Sequence, residues 1–302
     1  MKTKFRNYTK AMRYTEDFHK VRDFLVRINE KELNTINYDW SRWEWGFSLP
    51  YLDEDNLDKI GLWEAESGES AGQVVGLVTY ETCLGEAFLV NDPAYGDIRE
   101  DMLGYAVTNL KDEAGKIKVY INDNDRQMQV FTRARGLHPT QEKQPVSLLE
   151  ITNDLSYDLP EGFSIVSMRD EYDIWKFGDV LFKGFNHGDN PPHTEKEYRE
   201  REISLSGPHS ELDLKIAVKA PNGEFASFCG MWYDPRTSNA YVEPVATNPK
   251  YRRMGLGKAA VLEGVIRCGK RGAKIALVGS SQQFYYSIGF DPMETETAWT
   301  NE

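Results

Sequence analysis

The chain has 302 residues, a formal net charge of −12, 40% hydrophobic, 12% aromatic and 28% charged side chains. That balance supports packed cores beneath a solvated surface and excludes a disordered or fibrous chain, and the length points to two domains. The deficit of Lys and Arg argues against a nucleic-acid partner, whose affinity rests on neutralised phosphates, while an amine-bearing partner suits an acidic protein.

The basic start, Met1 to Tyr8, leads into no apolar run, and no stretch approaches the roughly 20 apolar residues that span a bilayer. No membrane partner is expected. Cys83, Cys229 and Cys268 form no CxxC pair, so neither a disulfide framework nor a zinc site is indicated and no metal is assigned. The expected location is cytoplasmic.

Along the first half, Tyr38, Trp40, Trp43, Trp45, Phe47 and Tyr51 form a dense aromatic group. It is expected to pack a core or an interface; the rival reading is a cation-attracting binding wall. A strand-like run, Val78-Thr79-Tyr80-Glu81, precedes Asp92-Pro93-Ala94-Tyr95 and then Val130 to Pro139, of the form x-Phe-x-x-x-x-Gly-apolar-x-Pro. All three recur in order in the second half: Met231-Trp232-Tyr233-Asp234, Asn248-Pro249-Lys250-Tyr251, and Gln283 to Pro292. Collinear matches indicate a tandem duplication. The polar stretch Tyr157-Asp158-Leu159-Pro160-Glu161-Gly162 marks the boundary, giving domains 1–157 and 158–302.

In the second half, Phe163 to Met168 alternates like a strand and Asp170 is placed to cap a helix reaching about Phe185. A second helix is expected from Thr194 to Ser204, with Thr194 and Glu197 as a capping box. Strands follow at Leu212–Val218, Phe225–Tyr233 and Ala240–Thr247, then a helix over Leu256–Lys270, a strand at Ile275–Val278, a short helix at Gln282–Ser287 and a last strand from Phe290. The order β-α-α-β-β-β-α-β-α-β describes an α/β protein with helices packed on a mixed sheet.

Arg252-x-x-Gly255-x-Gly257 lies where a strand gives way to a helix, so unpaired N–H groups and the positive end of the helix dipole are available to phosphate oxygens. The glycines let the main chain approach closely, and Arg252, Arg253 and Lys258 add positive charge. A Walker loop would need Gly-Lys-Ser/Thr, and a dinucleotide fingerprint would open an early βαβ unit. Neither applies.

The run from Glu243 to Gly257, followed by Phe284-Tyr285-Tyr286-Ser287-Ile288-Gly289-Phe290, resembles the acetyl-CoA motif of the GNAT acyltransferase family. The resemblance implies two tandem GNAT-like domains and transfer of an acetyl group from acetyl-CoA to an amine, taken here as a small molecule. The other readings are a CoA-binding protein without turnover and an acyltransferase acting on a protein or peptide. Val245, Ala246 and Thr247 would then pair through their main chain with the acetyl and pantetheine portions, the Val245 N–H facing the thioester carbonyl. Arg252, Arg253, Met254, Gly255, Leu256, Gly257 and Lys258 would hold the pyrophosphate. Tyr285, four residues before Gly289, would be the general acid. For the base, Glu243 is the candidate, because two-residue spacing puts it on the face of Val245; His187 and His193 are rivals from the loop joining the first two helices.

With Tyr95 set against Tyr251, the first half places Arg99 at Gly255 and Asp101 at Gly257, and with Phe131 set against Phe284 it places Thr132 at Tyr285. Bulk and negative charge stand where a pyrophosphate would have to lie. The first domain is read as a degenerate copy that keeps the fold without the chemistry.

Overall fold

The computed structural model describes residues 2–11, 13–29 and 38–302. By compactness the chain divides into one unit reaching Pro145 and including Met293–Glu302, and a second unit, Val146–Pro292. The first contains β1 (Thr3–Asn7), α1 (Glu16–Asn29), α2 (Trp40–Ser48), β2 (Gly61–Ala65), β3 (Val74–Thr79), β4 (Glu86–Asn91), α3 (Arg99–Asn109), β5 (Lys118–Asn122) and α4 (Arg126–Ala134). A long strand, β6 (His138–Glu150), begins in the first unit and ends in the second. Then come β7 (Ser164–Ser167), α5 (Ile174–Gly184), α6 (Glu195–Leu205), β8 (Lys215–Lys219), β9 (Phe225–Tyr233), β10 (Asn239–Thr247), α7 (Leu256–Lys270), β11 (Ile275–Val278), α8 (Gln283–Ser287) and β12 (Asp291–Thr300).

In the first unit, β1 to β4 are successive antiparallel neighbours and β4 pairs parallel with β5. Asp39 starts α2 by accepting from the N–H groups of Ser41 at 2.7 Å and Arg42 at 3.0 Å, which satisfies donors at the open helix end. Trp40, Trp43 and Phe47 then fall on one buried stripe. Phe18 of α1 stacks on Trp43 with ring centres 5.8 Å apart, and Trp43 Nε1 donates to the Phe18 carbonyl at 3.1 Å. Tyr38, Trp40, Trp43 and Phe47 therefore pack a core, while Trp45 is half-buried and Tyr51 is 64% exposed.

The second unit's sheet runs from the end of β6 through β11, β10, β9 and β8 to β7. α7 covers one face, where Ala259, Ala260 and Val265 meet Cys229, Met231 and Val242. On the other face Phe177 of α5 and Leu205 of α6 meet Ala217, Phe228 and Ala246. Every residue of β9 is buried, as a strand covered on both sides requires.

Three local expectations change. Asp173 caps α5, through the N–H groups of Trp175 and Lys176; Asp170 instead accepts from the N–H and hydroxyl of Ser167, because a short acidic side chain satisfies whichever donors its turn presents. Leu212–Leu214 is a 3-10 turn leading into β8. The strand beginning after Phe290 is assigned by sequence to residues 158–302, but β12 pairs antiparallel with β5 over Glu296–Thr300 and Lys118–Asn122. In the second unit, the strand beside β11 is Ser147–Glu150 of β6.

β12 is an integral part of the first unit. Trp299 is 3% exposed with the Arg133 guanidinium 4.9 Å from its ring centre, and Asn301 accepts from the Ile117 N–H at 2.9 Å. Trp299→Ala is expected to destabilise that unit by about 3–5 kcal/mol, read as a shift in its denaturant midpoint.

Candidate functional site

The site of the second unit is organised by an irregularity in β10. Val242 lies opposite Met231 and Val245 opposite Cys229, so Glu243 and Pro244, joined by a cis peptide bond, together face Gly230. A Cβ on Gly230 would stand 2.5 Å from the Glu243 carbonyl oxygen and 2.9 Å from Pro244 Cδ; glycine is required for the approach. Trp232 Nε1 donates to the Glu243 carbonyl at 3.0 Å, fixing the bulge. Two residues against one interrupt strand alternation. Val242 and Val245 consequently both pack on the α7 face, and the i, i+2 rule no longer groups the side chain of Glu243 with that of Val245. The parallel β10–β11 ladder covers only Asn239 to Tyr241. Beyond it, Val245, Ala246 and Thr247 pair with β9 alone among the ladders of β10.

At the end of β10, Asn248 accepts from the Lys250 N–H at 3.1 Å and opens a 3-10 turn, Pro249–Tyr251. Tyr251 Oη donates to Glu224 Oε2 at 2.8 Å, and hydrogen bonds from Asn222 and Tyr251 hold that carboxyl down at about 2. Arg253 and Gly255 take positive φ, 63° and 80°, the second of which turns the chain into α7. No side chain caps this helix, and its first carbonyl, Gly255 O, is taken by the Ala259 N–H at 3.0 Å. The N–H groups of Leu256, Gly257 and Lys258 thus precede the helix's own ladder and carry the positive end of its dipole.

The turn's residues divide in what they can do. Arg253, Met254, Gly255 and Lys258 are exposed, whereas Leu256 and Gly257 are buried. A Cβ at Gly257 would lie 3.1 Å from Thr247 Oγ1 and 3.3 Å from the Phe284 ring, so a substitution there disturbs packing as well as any ligand. Arg252 donates through Nε to the Thr247 carbonyl at 3.2 Å and through Nη2 to the Gly184 carbonyl at 2.8 Å and Asn186 Oδ1 at 3.0 Å. Its guanidinium ties the turn to the end of α5, a role that motif spacing alone does not reveal.

Tyr285 is 7% exposed, with Phe284 and Phe290 ring centres at 5.0 and 5.6 Å. Burial, reinforced by Cys229 and Glu243, raises its phenol above the ordinary value of 10.0, so it keeps its proton at neutral pH. Cys229, opposite Val245, is a neighbour that sequence reasoning missed, since only the register reveals it. Glu243 is half-buried. Of the rival histidines, His187 lies against Phe182 and Phe185, while His193 Nε2 is 2.7 Å from Asp179 Oδ1 with Trp175 stacked on its ring at 4.5 Å. Asp179 carried no motif by which to be found. Among the described residues, no group of three or more His, Cys, Asp or Glu side chains is arranged to hold a metal, and no helix is long and apolar enough to cross a membrane.

The first unit repeats the scaffold with different ends. Asp92 accepts from the Ala94 N–H at 3.1 Å as Asn248 does from Lys250, and Leu137 N–H donates to Thr132 O at 3.2 Å as Phe290 does to Tyr285 at 3.1 Å. Arg99, however, pairs with Asp125 and donates to Gln127 Oε1 at 3.1 Å. Glu100 and Asp101 occupy the first turn of α3, and the Thr132 hydroxyl is bound to Met128 O at 2.6 Å.

Arg252→Ala is expected to loosen the segment from Gly184 to His193 without changing the melting temperature. Hydrogen-exchange mass spectrometry should show faster exchange confined to that segment.

Residues 178–290 match the profile of the Acetyltransferase (GNAT) family. No curated protein matches the sequence. Among solved structures, a GCN5-related N-acetyltransferase from Sphaerobacter thermophilus aligns with a TM-score of 0.61 at 12% identity, covering 99% of this chain and 95% of its own. A tandem GNAT protein from the clavulanic acid biosynthesis pathway gives 0.61 at 13% identity, covering 99% and 98%. N-myristoyltransferase of Saccharomyces cerevisiae gives 0.55 at 9%, covering 99% and 79%. At these identities the likeness is one of fold. Residues 178–290 thus carry the sequence signature of a GNAT domain, and along nearly its whole length the chain has the fold of tandem GNAT structures.

Proposed function

We propose that the chain is an N-acyltransferase that moves an acetyl group from acetyl-CoA to the amine of a small molecule, with the chemistry in its second unit. The observation that carries this reading is the uncapped start of α7 following a strand, β10, that has parted from β11. Main-chain N–H groups from Gly255 to Lys258 would hold the diphosphate, with the exposed charges of Arg253 and Lys258 beside them. Val245, Ala246 and Thr247, past the end of the β10–β11 ladder, would bind the pantetheine arm as a strand binds a neighbour. The acyl group is taken as acetyl because the matched family is one of acetyltransferases.

Acetyl-CoA supplies an activated acyl thioester. The amine nitrogen forms its bond to the acyl carbon as the carbon–sulfur bond breaks, so one proton must leave nitrogen and one must reach sulfur. Tyr285, protonated at neutral pH, is the donor to sulfur in this reading. Glu243 removes the proton from nitrogen, directly or through a water. The first unit takes no part in this chemistry, since Arg99, Asp101 and Thr132 stand where the second unit has Gly255, Gly257 and Tyr285.

Thiol release from acetyl-CoA, measured with small amines and with peptides bearing free N-termini or lysines, tests the reading; no release with any acceptor overturns it. Tyr285→Phe should lower kcat by about 100-fold and leave the dissociation constant for acetyl-CoA within about twofold. Lys258→Glu should weaken CoA binding about tenfold with an unchanged melting temperature. Calorimetry giving wild-type affinity would refute the diphosphate assignment.

A further inference from the structure

Along β4 the main-chain groups of successive residues turn alternately to its two neighbours. Asp92, just past the strand, gives its N–H to the Val75 carbonyl at 2.8 Å, and the β3 ladder runs back from there through Gly76–Asn91 to Thr79–Phe88. Val90 and Phe88 therefore turn their N–H and C=O groups to β3, as Asp92 does. Those of Leu89 and Asn91 turn the other way, toward β5. On that side the ladder consists of Glu86–Lys118 and Ala87–Val119, and among the described residues no rung reaches Leu89 or Asn91.

A cavity of about 410 Å³ lies where further rungs would stand, with Leu89, Val90 and Asn91 of β4 and Ile121 and Asn122 of β5 on its lining. Asn122 is bonded within the chain. Its carbonyl accepts from the Asp125 N–H at 2.9 Å and its Oδ1 from the Asn124 N–H at 2.9 Å, while its Nδ2 donates to Glu294 Oε2 at 2.8 Å. The β4 side thus offers the N–H and C=O of Leu89 and of Asn91, two residues and about 7 Å apart. Main-chain groups left open in this pattern are what an added strand satisfies. Ile28, Met102 and Met128 make the walls apolar, and Arg99 and Asp125, the ionisable residues of the described lining, pair with each other.

We infer that this cavity binds an uncharged, extended peptide chain, which adds to the open side of β4 and pairs with Leu89 and Asn91. A trans amide turns its N–H and C=O to opposite sides. Four groups on one side therefore call for four successive amides, as in a tripeptide blocked at both ends, whose first and third residues face β4. Pantetheine has two amides and meets at most two of the four groups. A phosphorylated chain is disfavoured, because Glu100 and Asp101 lie in the first turn of α3. The volume suits a ligand of tripeptide size, and the walls suit apolar side chains. This site takes no part in the transfer chemistry assigned to the second unit.

Calorimetry on the full chain with acetyl-valyl-alanyl-valinamide, and with pantetheine for comparison, tests the assignment. The peptide should bind at least about tenfold more tightly than pantetheine. N-methylation of both valines removes the N–H groups that face β4 and should weaken binding at least about tenfold. N-methylation of the alanine, whose N–H faces away, should change it less than about threefold. Amide exchange followed by NMR locates the contact: Leu89 and Asn91 should slow at least about tenfold at saturating peptide, while Phe88 and Val90, already bonded to β3, keep their rates. No peptide binding, pantetheine binding as tightly, equal loss from either methylation, or unchanged exchange at Leu89 and Asn91 would each overturn the assignment.

Discussion

Two residues of β10 facing a single glycine is the constraint on which the second unit's site depends. With no side chain at Gly230, the carbonyl of Glu243 and the ring of Pro244 can crowd onto β9, and Trp232 secures the arrangement with one hydrogen bond. The extra residue bends the strand. Everything downstream inherits that bend: the ladder to β11 stops at Tyr241, Val245 returns to the α7 face, and the chain reaches Asn248 placed for a tight turn into α7. Tyr285 is packed into the same core as Val242 and Cys229, so strand irregularity, helix start and buried phenol form one packed arrangement.

The two units show which parts of a duplicated scaffold are tied to folding and which are free to change. Capping at Asp92 and Asn248 and the closing bonds of Leu137 and Phe290 satisfy main-chain groups that would otherwise be left open. Both copies retain them. Side chains at the helix start carry no such obligation. There, one copy has glycines and open donors, while the other has Arg99 bound to Asp125 and a carboxylate at the second glycine's place.

Sequence patterns disclosed what local chemistry determines. The glycine turn and apolar spacing defined α7 at Leu256–Lys270, Thr194 and Glu197 marked the start of α6, and the uninterrupted apolar run defined β9. They did not disclose partnership. The residues after Phe290 read correctly as a strand, but which neighbour a strand joins is decided by nonlocal pairing that no local period encodes. The bulge escaped for a related reason: Glu243-Pro244 acquires its meaning only once Gly230 is known to lie opposite. The side chains of Arg252 and Asp179 were likewise beyond reach, because their partners, Gly184, Asn186 and His193, are fixed by the packing of α5.

The placement of β12 has a consequence for how the protein is made. Chains emerge from the ribosome N-terminus first, and domains usually fold in that order. Here the strand beside β5 consists of residues close to 300, while the strand beside β11 is complete by Glu150. The second unit can therefore assemble all of its sheet during synthesis while the first still waits for its missing strand. Translation order and folding order are opposed, and the half made earlier stays open, with the flank of β5 unpaired, until the half made later has been threaded out.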